Sequence, residues 1–284
     1  MTTVREALVG GTRRLANLET PFLDAALLLS HALGISKEKL LASYPDTIPL
    51  SAMHEFNNHV TKRLSGYPIS YIRRKKEFFG LPFYVDERVL VPRPDTETLV
   101  EEVLKHIHAK SGTKKNLQVL DIGTGTGCIA ITLKHLQPQL QLTATDISKS
   151  ALAVCTLNSR HLLTEPLKLI ESDLFAAISG TFDIIVSNPP YLTSREVAQM
   201  QEKHWPEPMT ALEGGQDGLE TIRILINDAY DHLAEEGALF LEAGIEQISA
   251  IEEIFLSRGY QEINSYPDLS GRNRVVSGYK PYVK

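Results

Sequence analysis

From Leu117 onward the chain alternates short apolar runs with longer amphipathic ones, and this alternation restricts its architecture more than any other feature. "LQVLDIG", "QLTATDI", "LKLIESD", "FDIIVSN", "ALFLEAG" and "RVVSGYK" have strand length and strand composition. Between them lie "GCIAITLKHL", "SKSALAVCTLNSRHLL", "GLETIRILINDAYDHL" and "IEQISAIEEIFLSRG", which read as helices. In the third of these the apolar positions are 219, 222, 225, 226, 229 and 233, a single helical face. Such alternation predicts parallel pairing and right-handed crossovers, hence an α/β domain. The fourth strand, "FDIIVSN", is expected beside the first, "LQVLDIG".

Residues 1 to about 70 have a helical texture and no alternating strand pattern, which predicts a small helical bundle. In "TPFLDAALLLSHALG", Thr20 is placed to cap, Pro21 to take the first helical position and Gly34 to end the helix. Leu23, Ala26, Leu27, Ala32 and Leu33 set its expected apolar stripe. "SKEKLLAS" and "SAMHEFNNHVTKRLSG" read as further helices, each opened by a serine. Near Gly66 the composition turns aromatic and β-branched. "KKEFFGLPFYVDERVLVPRP", with turn signals at Gly80–Pro82 and Asp86–Arg88, predicts a β-hairpin linker, followed by a helix over "DTETLVEEVLKHIHAK". The expected division is 1–72 helical, 73–92 hairpin linker and 93–284 catalytic.

A formal net charge of −6 over 284 residues argues against the broad basic face that bulk nucleic acid requires. No run reaches the roughly 20 apolar residues of a membrane span, and the N-terminus lacks an apolar signal core. A cytoplasmic protein without membrane or stable nucleic-acid binding is expected. Cys128 and Cys155 lack metal-ligand spacing, as do His106, His108 and His204, so no metal is expected and the thiols read as buried hydrophobes. The basic run Arg73–Lys76 reads as solvated charge.

Two motifs carry chemistry. "VLDIGTGTGCIA" places Gly123, Gly125 and Gly127 between the first strand and first helix of the α/β domain, where such sheets bind ligands. Glycines let a ligand approach the backbone, and a helix N-terminus favours an anion. A dinucleotide fingerprint puts its third glycine five residues after the first, and that position is Cys128. The G-x-G-x-G spacing, with Thr124 and Thr126 between the glycines, instead resembles the S-adenosylmethionine turn of class I methyltransferases. Asp146 ends the second strand, where a carboxylate can hold ribose hydroxyls. In "ESDLFAA", Asp173 can accept from an adenine amino group and Leu174 can cover the ring; a helix cap and a core leucine are the alternative. Asp121 is placed either to meet a methionine ammonium or to be an ordinary strand-end carboxylate.

The second motif is Asn188-Pro189-Pro190-Tyr191, closing "FDIIVSN". A planar amide or exocyclic amine is a poor nucleophile because its lone pair is delocalised. To methylate it, a site must hold both N–H groups while the nitrogen pyramidalises. The Asn188 side-chain oxygen is one acceptor and the Pro189 carbonyl a second, stiffened by the two prolines. The Tyr191 ring can stack on the planar group. The motif does not choose between an amide and a nucleobase.

With "VPRPDTETLVEEVL", "DIGTGTG", "SNPPY", "EPMTALEGGQDGL" and "DLSGRNRVV" in order, the chain closely resembles the release-factor glutamine methyltransferase family. The aromatic hairpin and "ETPFLDAALLLSHALG" fit as well. The resemblance implies a class I, Rossmann-like, mostly parallel seven-stranded sheet, with the helical domain docking the substrate protein. It implies methyl transfer from S-adenosylmethionine, leaving S-adenosylhomocysteine, to the Gly-Gly-Gln glutamine of class I peptide chain release factors. Asn188 and Pro189 would be catalytic, Asn188–Tyr191 would bind substrate, and Gly123–Gly127, Asp146, Asp173, Leu174 and Asn188 would bind cofactor. Leu174 stands where some members carry tryptophan, which keeps apolar cover and loses stacking. Glu207 reads as shaping its loop rather than as a base. The competing readings are an adenine-N6 methyltransferase of DNA or RNA and a non-catalytic binding module.

Overall fold

Each central strand of the sheet buries both of its faces, and this organises the larger part of the molecule. The computed structural model describes residues 2–110 and 116–282; positions 1, 283 and 284 of the expected domain limits lie outside the described residues. The fold divides into two units. The first runs to Lys75 and includes His204–Pro206, and the second comprises the rest of the chain from Lys76.

The first unit is built from α1 (Val4–Arg14), α2 (Pro21–Leu33), α3 (Lys37–Ala42), α4 (Leu50–Leu64) and α5 (Ile69–Arg73). Thr3 and Glu6 form a reciprocal capping box on α1. Pro21 opens α2 and Gly34 closes it in the left-handed conformation, but Thr20 does not cap it, because its hydroxyl donates to Asp24 Oδ1 at 2.6 Å. Ser36 caps α3 as expected, whereas α4 starts after Pro49 rather than at a serine. The stripe of α2 is rotated from the one read in the sequence. Ala25, Leu28 and Leu29 are fully buried and Leu23 is 42% exposed. In so apolar a helix, spacing alone leaves the face ambiguous. Buried Asp24 fixes it by pairing with Arg63 Nε of α4 at 2.8 Å.

The second unit opens with a hairpin, β1 (Lys76–Phe78) and β2 (Leu81–Phe83). Its turn is Phe79–Gly80, with φ of 52° and 74°, and Pro82 lies within β2 opposite Glu77. Two positive φ values make a two-residue turn matching strand twist. There follow α6 (Thr96–Lys110), β3 (Gln118–Ile122), α7 (Cys128–Leu136), β4 (Gln141–Asp146), α8 (Lys149–Leu162), β5 (Lys168–Glu171) and β6 (Phe182–Ser187). The chain then forms α9 (Ser194–Glu202), α10 (Glu220–His232), β7 (Leu233–Glu242), α11 (Ile248–Arg258), β8 (Gln261–Pro267) and β9 (Asn273–Tyr279).

The sheet has seven strands in the order β5-β4-β3-β6-β7-β9-β8. The first five are parallel; β9 runs antiparallel to β7, and the edge strand β8 runs antiparallel to β9 and so along the first five. Successive residues go to opposite cores, as the pleat requires. Val119, Ile184, Val186 and Phe240 join one core with Leu99, Val103 and Ile129. Leu120, Ile185, Leu239 and Leu241 join the other with Ile222, Leu225, Ile226 and Phe255. The strand order reverses between β3 and β6, so a crevice opens at their carboxyl ends. Among the described residues no helix is long and apolar enough to cross a membrane.

Candidate active site

A cavity of about 660 Å³ occupies that crevice. Its walls include Gly123, Gly125, Asp146, Asp173, Leu174, Asn188, Pro189 and Pro190. The glycine turn between β3 and α7 divides its labour. Gly123 and Gly125 have φ of 71° and 53°, and a Cβ on either would meet nothing within 4 Å, so their backbone faces open space. Gly127 serves packing, since a Cβ there would lie 2.7 Å from both Cys155 Sγ and Ile131 Cδ1. The two threonines turn inward. Thr124 Oγ1 donates to Asp121 Oδ2 at 2.7 Å, and Thr126 Oγ1 accepts from the Cys128 amide at 3.2 Å. Thr124, Thr126 and Gly127 therefore brace the turn, and their side-chain positions are not on the cavity wall.

Asp146 joins the end of β4 to this turn. Its Oδ2 accepts from the Gly125 amide and its Oδ1 from the Ser148 amide, each at 2.9 Å. Burial nevertheless raises its pKa against those two bonds. Leu174 sits at φ 45° on the wall beside Asp173, a backbone conformation uncommon outside glycine.

Asp121 lies beneath the turn, fully buried, with Oδ2 accepting from Thr124 and Oδ1 without a hydrogen-bond partner. Burial pushes its carboxyl up to about 7, and it does the same to Glu242 at the end of β7. Unfolded carboxyls titrate near about 4. Between these values the folded chain holds on these two groups protons that the unfolded chain has released, so their contribution to stability falls as pH rises through this window, against the opposite contribution of His106, which burial holds at about 4. Carboxyls held low, such as Asp268 at about 2 beside the Ser270 hydroxyl, titrate below the window. Urea unfolding at about pH 5 and 8 is expected to show Asp121→Asn losing less stability with rising pH than the parent chain. Identical pH dependence would contradict the assignment.

The Asn-Pro-Pro-Tyr turn leaves β6 next to β3, where Ser187 Oγ donates to the Ile122 carbonyl at 2.7 Å. Asn188, Pro189 and Pro190 reach the cavity. Tyr191, read in the sequence as stacking on the substrate, is partly buried against a core that includes residues of α10 and β7, and it is not among the wall residues. The turn is clasped from behind by "GGQDG". Gly214 N donates to Leu192 O at 2.8 Å and Leu192 N to Leu212 O at 2.9 Å. Gln247 Nε2 donates to the carbonyls of Tyr191 at 3.0 Å and Gly218 at 3.1 Å. A Cβ on Gly214 would stand 2.7 Å from the Pro190 carbonyl oxygen, and one on Gly218 would run into that of Tyr191.

Glu207 does shape its loop. Buried, it accepts from the Val91 amide at 3.0 Å and from Arg93 Nη2 at 2.5 Å. Wall residues that sequence reasoning missed are Arg88–Leu90, Glu213, Gln216, Glu220 and Ile224. The repeated "GG" and the "VPRP" run were their only local signals. In the helical unit His31, Glu55 and His59 bring ligand atoms within 4.8 Å of one another, a grouping invisible to spacing because two helices supply it. Both imidazoles are held low by burial, and Arg73 beside His31 adds to the effect there.

The comparisons agree with this geometry. The chain matches the methyltransferase small domain over residues 95–204 and the PrmC N-terminal domain over residues 6–73. A release factor glutamine methyltransferase of Moorella thermoacetica is 36% identical, covering 98% of this chain and 99% of its own length. One from Rhodopirellula baltica is 38% identical, covering 92% and 90%. A methyltransferase structure from Pyrococcus furiosus superposes with a TM-score of 0.53 at 21% identity, covering 80% of this chain and all of its own. A Thermus thermophilus 16S rRNA N2 G1207 methyltransferase, solved with AdoMet and guanosine, gives 0.52 at 17%, covering 72% and 49%. The sheet order and the glycine turn define a class I S-adenosylmethionine-dependent methyltransferase fold. Within that class, the chain belongs to the release factor glutamine methyltransferase family.

Proposed function

We propose that this chain transfers a methyl group from S-adenosylmethionine to the side-chain amide nitrogen of the glutamine in the Gly-Gly-Gln motif of class I peptide chain release factors. The observation that carries the reading is the shared cavity: the glycine turn and Asp146 form one part of its wall, and Asn188 and Pro189 another. The near full-length similarity to proteins named release factor glutamine methyltransferase supports the amide over a nucleobase. The exposed backbone of Gly123 and Gly125, with Asp146 at the strand end, suits a nucleoside carrying an amino-acid carboxylate.

Bound there, the cofactor supplies an electrophilic methyl group. The remaining work belongs to the protein. Asp146 receives ribose hydroxyls, Asp173 the adenine amino group, and Leu174 covers the ring. Asn188 and the Pro189 carbonyl accept the two N–H groups of the target amide, so that its nitrogen can pyramidalise. No buried base is required, because the nitrogen becomes cationic on methylation and then loses a proton to water. Both Glu207 oxygens already accept hydrogen bonds, and it is not on the cavity wall, which fits that economy. The helical unit is assigned to docking the release factor, and the setting to the cytoplasm.

Asp146→Ala is expected to weaken S-adenosylmethionine binding by about 1–3 kcal/mol in calorimetry, the usual cost of losing hydrogen bonds to a charged group. Unchanged affinity would remove Asp146 from the cofactor site. Peptide mapping of release factor after reaction tests the function itself. The methyl group is expected on the Gly-Gly-Gln glutamine amide, and a methyl group on any other residue overturns the reading.

A further inference from the structure

The side-chain amide of Asn188 can present either its oxygen or its NH2 to the cavity, and only the oxygen can accept from a target amide. Behind it three distant segments meet. Thr96 opens α6, Glu242 ends β7, and Arg274 lies on β9. Asn188 Nδ2 donates to Thr96 Oγ1 at 3.3 Å. The pairing of Ser187 with Leu241 brings Glu242 beside Asn188, both Thr96 and Asn188 act to lower the Glu242 pKa against the rise that burial causes, and both Thr96 and Glu242 are buried. Glu242 Oε2 has no hydrogen-bond partner of its own, so this carboxylate keeps unspent accepting capacity deep in the protein. Arg274 balances the charge from further back. Its Nη2 is 3.2 Å from Asp95 Oδ2 and its Nε 3.5 Å from Asp268 Oδ2. The blocks "VPRPDTETL" and "DLSGRNRVV" thus converge behind the turn they are far from in sequence.

We infer that Glu242 is a positioning residue that fixes the orientation of the Asn188 amide and thereby turns its oxygen into the cavity. A threonine hydroxyl can donate or accept, so Thr96 alone leaves the amide free to flip. An ionised carboxylate only accepts, so it must face the NH2 group. With one N–H on Thr96 and the other turned toward the unpartnered Glu242 carboxylate, both donors of Asn188 face inward, and the oxygen is the group left for the substrate. The inference rests on the reading of Asn188 given above. Its retention of a buried carboxylate, at a cost to stability, is the kind of expense that sites accept to preorganise a polar group.

Two measurements test it at about pH 8, above the value of about 7 to which burial raises Glu242. The first is kinetic. Glu242→Gln is nearly isosteric, but its NH2 invites Asn188 to flip, so kcat is expected to fall at least tenfold with KM for release factor little changed. Asn188→Asp puts two carboxylates together and is expected to lose about 10²-fold. In the double variant Asn188→Asp/Glu242→Gln the glutamine NH2 donates to one oxygen of the new carboxylate, whose other oxygen accepts outward. Its kcat is expected at least tenfold above that of Asn188→Asp alone. Losses that simply multiply would overturn the inference while leaving the methyl-transfer reading intact. The second is hydrogen exchange of the Asn188 side-chain NH2 by NMR. Protection at least tenfold higher in the parent chain than in Glu242→Gln is expected. Equal protection overturns the inference whatever the kinetics give.

Discussion

Asn188→Ala is expected to lower single-turnover methylation of a release factor by about 10²–10³, with folding intact and cofactor affinity less affected. The residue follows the last position of β6 and is half-buried, so little core leaves with it. The missing oxygen matters most as the amide nitrogen pyramidalises, because its N–H bonds then become more acidic and bind an acceptor more strongly. A contact that strengthens along the reaction acts on turnover rather than on binding. Rapid-quench rates for the parent and variant chains measure this, with thermal unfolding as the control. A variant retaining near-parental turnover would make the proline-stiffened turn a structural feature only.

Gly218→Ala is expected to have an effect of similar size from a position off the cavity wall. Gly218 has φ of +73°, where alanine is strained, and its Cβ would enter the space of the Tyr191 carbonyl oxygen. Gln247 Nε2, holding that same carbonyl and that of Gly218, would lie 2.6 Å from the new methyl group. The turn must therefore shift, and Asn188–Pro189 shift with it. A displacement of about 1 Å at a positioning group costs on the order of 10² in rate. Cofactor affinity is expected to stay within about threefold, since the glycine turn and Asp146 are on other strands. Turnover measured at saturating cofactor separates the two. A parental rate would show that the "GGQDG" loop does not govern the turn.

The alternation of strands and helices was legible because central strands bury both faces and are therefore mostly apolar. Strand β8, "QEINSYP", was not legible for the opposite reason. It is an edge strand paired on one side, its residues mostly exposed, so no apolar pattern marks it. Helix α9 was missed likewise, since it buries Val197 alone. In α2 the composition announced a helix but not its face, which buried Asp24 and its arginine partner decide. The residues that the motifs named, Gly123, Gly125, Asp146 and Asn188–Pro190, line one cavity because each stands at the carboxyl end of a strand or directly after it. The inward roles of Thr124, Thr126 and Gly127 needed coordinates. So did Thr96, Glu242 and Arg274. Only the neighbouring order of β6, β7 and β9 gathers them behind Asn188.

In the proposed function this cavity methylates a protein amide rather than a nucleobase. Transfer of a labelled methyl group from S-adenosylmethionine to purified release factor, run beside DNA and RNA under the same conditions, tests it most directly. Label is expected in the release factor, abolished when its Gly-Gly-Gln glutamine is replaced, and none is expected in either nucleic acid. Label in DNA or RNA, with the release factor unmodified, would contradict it.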